Sequence, residues 1–259
     1  MKKLFYIIFL LIGFELSAEV EIEKVIVATR GDIKVIEASE DIRYLSQKIV
    51  KDYIFFFKNQ NKSIVKQSLE QALFELSEDL RIIATTTKDS DTKDILEFLA
   101  YSKDQIDEIF LGKPNKEKVA LMLDYSETLL EGADSIANAH KYNFSQEEEM
   151  LMITKEMEYL LERITKFYMA LHVGFDSPTN KDQMRESILQ FEDNMKQITR
   201  YEYPNEFNDI QVSINQSWRI NKTFFDKSES LFIPKLMFIS IDYMEELVLK
   251  IALYHAKNQ

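Results

Sequence analysis

Histidine and cysteine often carry metal-binding or nucleophilic chemistry, and this sequence contains three histidines and no cysteine. His140, His172 and His255 lie far apart, and none has a glutamate three residues before it or a histidine four residues after it. The sequence therefore lacks the Glu-x-x-His pattern of metal sites in helical bundles. We interpret the three histidines as helix-end or surface residues, and we predict no metal site and no cofactor.

Carboxylates are abundant, but their positions indicate structural roles. The acidic run 147–149 follows Ser145, which is typical of the first turn of a helix, where acids interact favourably with the helix dipole. Asp124 and Asp242 each precede a tyrosine in an apolar stretch, and we expect each to form a buried hydrogen bond. The sequence has no phosphate-binding glycine loop and no Gly-x-Ser-x-Gly motif. We therefore predict no catalytic residue, and we do not expect an enzyme.

The elements that carry these residues are predicted to be helices. The 259-residue chain has only 5 Gly and 4 Pro, and they separate long segments in which apolar side chains recur every three or four positions. That period is typical of amphipathic α-helices. Ser145 with Glu148 predicts a capping box. Asn180 with Gln183 predicts a further helix cap, and Pro234 predicts a first turn. The eight predicted helices lie at about 42–58, 62–83, 94–111, 116–140, from 145, from 180, 206–225 and from 234.

The first and fifth predicted helices share a sequence pattern. Residues 41–53 read DIRYLSQKIVKDY and residues 156–168 read EMEYLLERITKFY, with five identical positions at a separation of 115 residues. Amphipathic helices resemble one another by chance, but three further helices align in the same order at separations of 119, 115 and 118 residues. Such a long period is typical of repeated architecture, and short connections make neighbouring helices antiparallel. We predict an all-α protein of two tandem up-down-up-down four-helix bundles, at residues 39–143 and 144–259.

The N-terminus indicates export. The first 18 residues, MKKLFYIIFLLIGFELSA, have two lysines, an apolar run and a small-residue ending, the pattern of a secretory signal peptide. The apolar run is shorter than the roughly 20 residues of a spanning helix, which favours cleavage over a retained signal anchor. We therefore predict a signal peptide at 1–18 and a periplasmic location. Residues 19–38 form an N-terminal extension that is either a short strand or a leading part of the first helix.

Charge and composition exclude several classes of partner. The formal net charge is −12, which disfavours binding to nucleic acid and to anionic membrane surfaces. Without cysteine the chain has no disulfides, so its stability must come from packing. A hydrophobic content of 46% is sufficient for a large core.

The first helix also resembles a known family. Its segment IRYLSQKIVKDYI is similar to the Gln-Arg-Met-Leu-Ser-Gln-Arg signature of the periplasmic N-terminal domain of type IV pilus methyl-accepting chemotaxis transducers, which is related to nitrate/nitrite sensor input domains. Arg43, Leu45, Ser46 and Gln47 match the signature, and Lys48 replaces its second arginine. The resemblance implies a four-helix bundle, often duplicated, and an anion contact at a dimer interface for Arg43. We predict a ligand-binding cluster of Arg43, Ser46, Gln47 and Lys48.

The chain departs from the family pattern at positions that bear on this site. Residues 39–41, Ser-Glu-Asp, replace the usual Ala-Gly-Arg, and their two carboxylates disfavour a nearby anion. In the second repeat Glu158 stands at the position of Arg43, and Leu161 stands at the position of Ser46. We therefore expect the first repeat to bind the ligand and the second to act as a scaffold.

The sequence thus predicts a soluble periplasmic sensor-type module that acts in pilus- or chemotaxis-related sensing. The predicted partners are a small anion or metabolite, a membrane-bound receptor or other envelope protein, and a second copy of the chain in a homodimer. Nucleic acid is not expected as a partner. The alternative is a structural or adaptor protein of the envelope, for which the apolar segment LFIPKLMFISI at 231–241 offers a surface.

Overall fold

The structure, a computed structural model, describes residues 29–59 and 63–259. These residues form α-helices and short connections, without a strand in either range, so the predicted all-α class is confirmed. The eight helices are α1 (Arg30–Lys58), α2 (Ser63–Thr86), α3 (Ser90–Leu111), α4 (Lys116–Ala139), α5 (Gln146–His172), α6 (Pro178–Arg200), α7 (Asn208–Asp226) and α8 (Pro234–Asn258). A single 3-10 turn, Asn205–Phe207, precedes α7. No helix in the described ranges is both long enough and apolar enough to span a membrane.

The N-terminal predictions fall partly outside the described residues. The predicted signal peptide at 1–18 and residues 19–28 of the extension lie outside them. Residues 30–38 are the first turns of α1, so the helical alternative for the extension holds over this part. Gly31 lies in the first turn of α1, between the two residues of the Thr29–Asp32 capping box.

Capping boxes start both α1 and α5. The Ser145 hydroxyl accepts the backbone N–H of Glu148 at 3.3 Å, while the Glu148 carboxylate accepts the N–H of Ser145 at 2.7 Å, as predicted. Thr29 and Asp32 form the same reciprocal pair at the start of α1. In each case two backbone donors that a helix start leaves without partners are satisfied.

Proline marks the first positions of α6 and α8. The predicted cap at Asn180 is wrong: Ser177 is the cap of α6, because its hydroxyl accepts the backbone N–H of Asn180 at 3.2 Å. Pro178 then occupies the first turn, where its missing N–H costs little. Pro234 has this position in α8, as predicted.

Each group of four helices closes into a bundle. In the first bundle α1 packs against α2 and α4, and α3 packs against the same two helices. In the second, α5 packs against α6 and α8, and α7 packs against α8. In the second bundle, α6 and α7 meet at Phe191 and Trp218, whose aromatic ring centroids are 4.3 Å apart. The short connections between successive helices make neighbours antiparallel, as in other up-down-up-down bundles.

The two bundles meet through their first helices. Lys155 of α5 contacts Asp41 of α1, and Glu162 of α5 contacts Lys51 of α1. The contacts advance along both helices in the same direction, so α1 and α5 run parallel. Positions separated by 115 residues therefore face each other in similar surroundings, which agrees with the repeat inferred from the sequence. The central helices are buried on almost every face.

Candidate ligand-binding site

Buried charged side chains lie where α1 and α5 meet. The Lys51 ammonium is 2.9 Å from Glu162 Oε1, and both side chains are completely buried. The Lys166 ammonium is 2.5 Å from a Glu127 carboxylate oxygen and donates to the Ser126 hydroxyl at 3.0 Å. A buried charge needs such partners because removal from water disfavours the ionised form.

The surroundings of Lys51 and Lys166 are related by the repeat but carry different charges, because Gln47 in the first repeat corresponds to Glu162 in the second. Lys51 and Lys166 are 115 residues apart, as are Gln47 and Glu162. The pKa of Lys166 is lowered to about 8, chiefly by burial and also by Arg163, against the opposing effect of Glu127. At Lys51, burial also acts to lower the pKa, but Glu162 together with Asp52 and Glu245 outweighs this effect and the net pKa is raised.

A cleft of about 670 Å³ opens beside the α1–α5 pair, between α1 and α2 of the first bundle and α5 and α8 of the second. We call it the interbundle cleft. Two lysines line it, Lys48 and Lys155, and its apolar lining includes the rings of Tyr44, Phe74 and Phe238. Carboxylates dominate its polar lining: Asp41, Glu75, Glu78, Asp79, Glu158, Asp242, Glu245 and Glu246.

Both lysines of the interbundle cleft are already engaged by carboxylates. The Lys155 ammonium is 2.9 Å from Asp41, and the Lys48 ammonium is 3.4 Å from Glu162. Burial acts to lower the pKa of Lys48, but Glu162 and other acids raise it above its usual range. The lysine charges are therefore directed at acids of the protein itself, and the remaining carboxylates give the cleft a negative potential.

Two carboxylates of the interbundle cleft have pKa values raised to about 7, so each is about half protonated at neutral pH. Burial raises the pKa of Glu158 to about 7, with Lys155 opposing and Asp41 adding to the shift. Burial, with a contribution from Asp41, raises the pKa of Asp79 to about 7 as well. Like charges in a poorly hydrated cleft resist ionisation together.

Glu245 connects the interbundle cleft to the buried pair beneath it. Its Oε2 accepts the Tyr44 hydroxyl at 3.4 Å, and its carboxyl is also hydrogen-bonded to that of Glu162. Burial raises the pKa of Glu245 well above its usual value, and the neighbouring Glu162 raises it further. Glu158 Oε1, by contrast, lacks a partner, although the residue is only 9% exposed.

The predicted ligand-binding cluster is divided in the structure. The Arg43 guanidinium lies 2.6 Å from Asp134 and 2.7 Å from Glu40, and it stacks 4.4 Å from the centre of the Tyr159 ring. These acids raise the pKa of Arg43, although burial acts in the opposite direction. Arg43 thus has its own acids as partners and lies away from the interbundle cleft.

The other three predicted residues point to different places. The Ser46 hydroxyl donates to a carbonyl of its own helix at 2.7 Å, and the Gln47 side chain donates to Ser46 at 2.9 Å; both residues are buried. Of the four predicted residues, Lys48 alone is part of the lining of the interbundle cleft. The second repeat, expected to be only a scaffold, contributes Lys155 and Glu158.

The two aspartates expected to form buried hydrogen bonds do not. Asp124 is exposed, and Asp242 is half exposed, with its carboxylate 3.7 Å from the Lys51 ammonium. The expectation is wrong because apolar neighbours in sequence lie on another face of the helix: Asp124 is on the solvent face of α4, and Asp242 lines the interbundle cleft.

The histidines form hydrogen bonds that the sequence analysis missed. His140 is hydrogen-bonded with Asp32 at 2.9 Å, and His255 with Glu147 at 2.6 Å. Both histidines lie at helix ends as predicted, but His255 is completely buried rather than at the surface. Each pair joins the last helix of a bundle to the first turn of its first helix. The 115-residue spacing of both histidines and both acids was the signal that could have revealed them.

The described residues contain no group of three potential metal ligands close enough to hold an ion. In comparisons with known proteins, the chain matches no family model, no curated protein and no solved structure. The relation to the chemotaxis transducer domain therefore stays a prediction from the first helix.

Proposed function

We propose that this protein is an exported sensor-type module that binds a small ligand in the interbundle cleft. The observation that carries the proposal is the Glu158 carboxylate, which is nearly buried in the wall of a 670 Å³ cleft and has an oxygen without a partner. Binding sites commonly lie between domains and combine apolar walls with a few polar groups.

The position of the cleft suggests how binding is reported. Its walls come from both bundles, so a ligand that contacts α2 and α8 together would favour one relative arrangement of the bundles. A membrane-bound receptor could recognise that arrangement. The signal-peptide pattern supports a periplasmic location, and the resemblance of the first helix supports a role in pilus- or chemotaxis-related sensing.

A thermal-shift screen tests the proposal. Anions, amines, amino acids and sugars are added separately to the wild type, to Leu249→Trp, which enlarges a side chain of the cleft wall, and to the control Leu253→Trp one turn further along α8. A ligand at 100 times its Kd stabilises by about 2.7 kcal/mol. We expect at least one class to raise the Tm of the wild type and control but not of Leu249→Trp. A gain that survives Leu249→Trp contradicts the proposed site.

The alternative function is that of a structural or adaptor protein. It is favoured by exposed apolar side chains at the start of α8 and just before it, including Phe232, Leu236 and Ile239. Failure of every ligand class, together with an envelope protein that is captured by the wild type and lost in Ile239→Lys, would support this alternative over the sensor.

A further inference from the structure

We propose that the interbundle cleft selects an organic cation, an aliphatic amine with an apolar carbon chain; the inference rests on the ligand-binding function proposed above. The sequence analysis favoured an anion near Arg43. The structure places a different set of side chains around the open space, and their charge has the opposite sign.

Charge is the first argument. Eight carboxylates and two lysines line the interbundle cleft, and both lysines are already paired with acids. Glu78 is paired with Arg81 at 2.6 Å. Within the described ranges, Glu75, Asp79, Glu158 and Glu246 take part in no ion pair. A ligand that supplies positive charge would therefore be attracted, whereas an anion would be repelled.

The hydrogen bonding of the wall also favours a donor ligand. Glu158 Oε1 lacks a partner and Glu158 lines the interbundle cleft, whereas the carboxyl of Glu245 is hydrogen-bonded to that of Glu162. Buried carboxylate oxygens are normally satisfied, since an unmade hydrogen bond costs the full desolvation of the group. An ammonium group has three N–H donors and no acceptor, which matches a wall of acceptors.

The repeat relates Glu158 to a position that carries a cation in the first bundle. Arg43 and Glu158 occupy positions 115 residues apart, and so do Tyr44 and Tyr159. On the Arg43 side the protein supplies its own cation, stacked on Tyr159 and held by two carboxylates. At the position related to Arg43 by the repeat, a carboxylate, Glu158, stands in place of that cation, and Tyr44 stands in place of Tyr159. Lys48 lies over the Tyr44 ring, 5.7 Å from its centre, but its ion pair is with Glu162, so a ligand cation would be the partner of Glu158.

The apolar part of the wall favours an amine over a metal ion. Part of the wall is apolar and aromatic, with Leu45, Phe74, Phe238 and Leu249 among its residues. A carbon chain would bury this surface, and an ammonium group is attracted to aromatic faces. A bare divalent ion gains nothing from such walls, and the described residues include no cluster of three suitable ligands.

Isothermal titration calorimetry of the full chain with spermidine tests the inference, at about 0.15 M salt to screen non-specific attraction. Nitrate and calcium are titrated in parallel. Glu158→Gln removes one ionisable carboxylate from the wall, whereas Glu158→Arg places the chain's own cation there, as Arg43 does in the other half. The control is Glu97→Gln, an exposed acid of α3 outside the cleft. Circular dichroism verifies that each variant is folded.

We expect saturable binding of spermidine that is kept in Glu97→Gln, is weakened about 10- to 100-fold in Glu158→Gln and is lost in Glu158→Arg. Spermidine binding that survives Glu158→Arg would mean general attraction to an acidic surface and would overturn the inference. Binding of nitrate or calcium, blocked by Leu249→Trp and without spermidine binding, would overturn the amine but leave the proposed function standing. If no probe or screened ligand binds, both proposals fail.

Discussion

Replacement of Glu158 by glutamine should stabilise the protein at pH 8. The carboxylate is nearly buried, and its pKa is raised from 4.5 to about 7, chiefly by burial. Between these two values the folded state binds the proton and the unfolded state does not, so stability falls as the pH rises through this window. Above pH 7 the full cost is present. At about 1.4 kcal/mol per pKa unit, the shift corresponds to about 3 kcal/mol.

Glutamine removes this cost because it stays neutral at every pH. For a chain of this size, 3 kcal/mol corresponds to a rise in Tm of roughly 6–12 °C. At pH 5 the expected gain is below about 1 kcal/mol, since folded Glu158 is then already protonated. Thermal unfolding followed by circular dichroism at pH 5 and pH 8 measures both values. The exposed acid Glu97, changed to glutamine, serves as the control.

The difference between the two pH values is the decisive quantity. Equal gains at pH 5 and pH 8 would show that Glu158 is not neutral in the folded protein. A loss of stability at pH 8 would show that the carboxylate has a stabilising partner there, and either result refutes the reasoning.

Three other outcomes follow from the buried charges and histidines. Lys51→Met should destabilise by about 3–5 kcal/mol in urea unfolding, because it removes the nearer cation of the buried Glu162 and leaves only Lys48, 3.4 Å away. Lys166→Met should instead stabilise by about 1–3 kcal/mol at pH 7, because it removes a buried charge whose pKa is lowered to about 8. The stability of the wild type rises between pH 8 and 10.5, since the folded protein then binds fewer protons than the unfolded chain. The gain from Lys166→Met should therefore shrink over that pH range. His255→Ala should cost about 2–4 kcal/mol, more than His140→Ala, because His255 is the more deeply buried; equal costs would contradict this.

Local sequence patterns were sufficient to predict the helices. Apolar spacing indicated all eight, and the Ser145 capping box was correct because it depends on residues only three positions apart. The start of α1 was less clear, since Gly31 interrupts the helical period without ending the helix. The Thr29–Asp32 capping box starts the helix around this glycine, and the apolar pattern alone does not show it.

The site was harder to predict because it depends on how the bundles meet. Gln47 and Lys51 lie opposite the apolar stripe of α1, as solvent-facing residues would, yet α5 covers them completely. The sequence shows the change from Arg43 to Glu158 as a difference between the repeats, and by itself it predicts the loss of a binding group. Its meaning depends on the parallel packing of α1 and α5, which no short sequence pattern encodes.

A crystal structure of the protein grown with spermidine tests amine binding in the interbundle cleft most directly. We predict ligand density in the interbundle cleft, with a nitrogen within about 3.2 Å of a Glu158 carboxylate oxygen and the carbon chain along Phe74 or Phe238. An empty cleft at a saturating ligand concentration, or ligand bound only on the outer surface of a bundle, would contradict it.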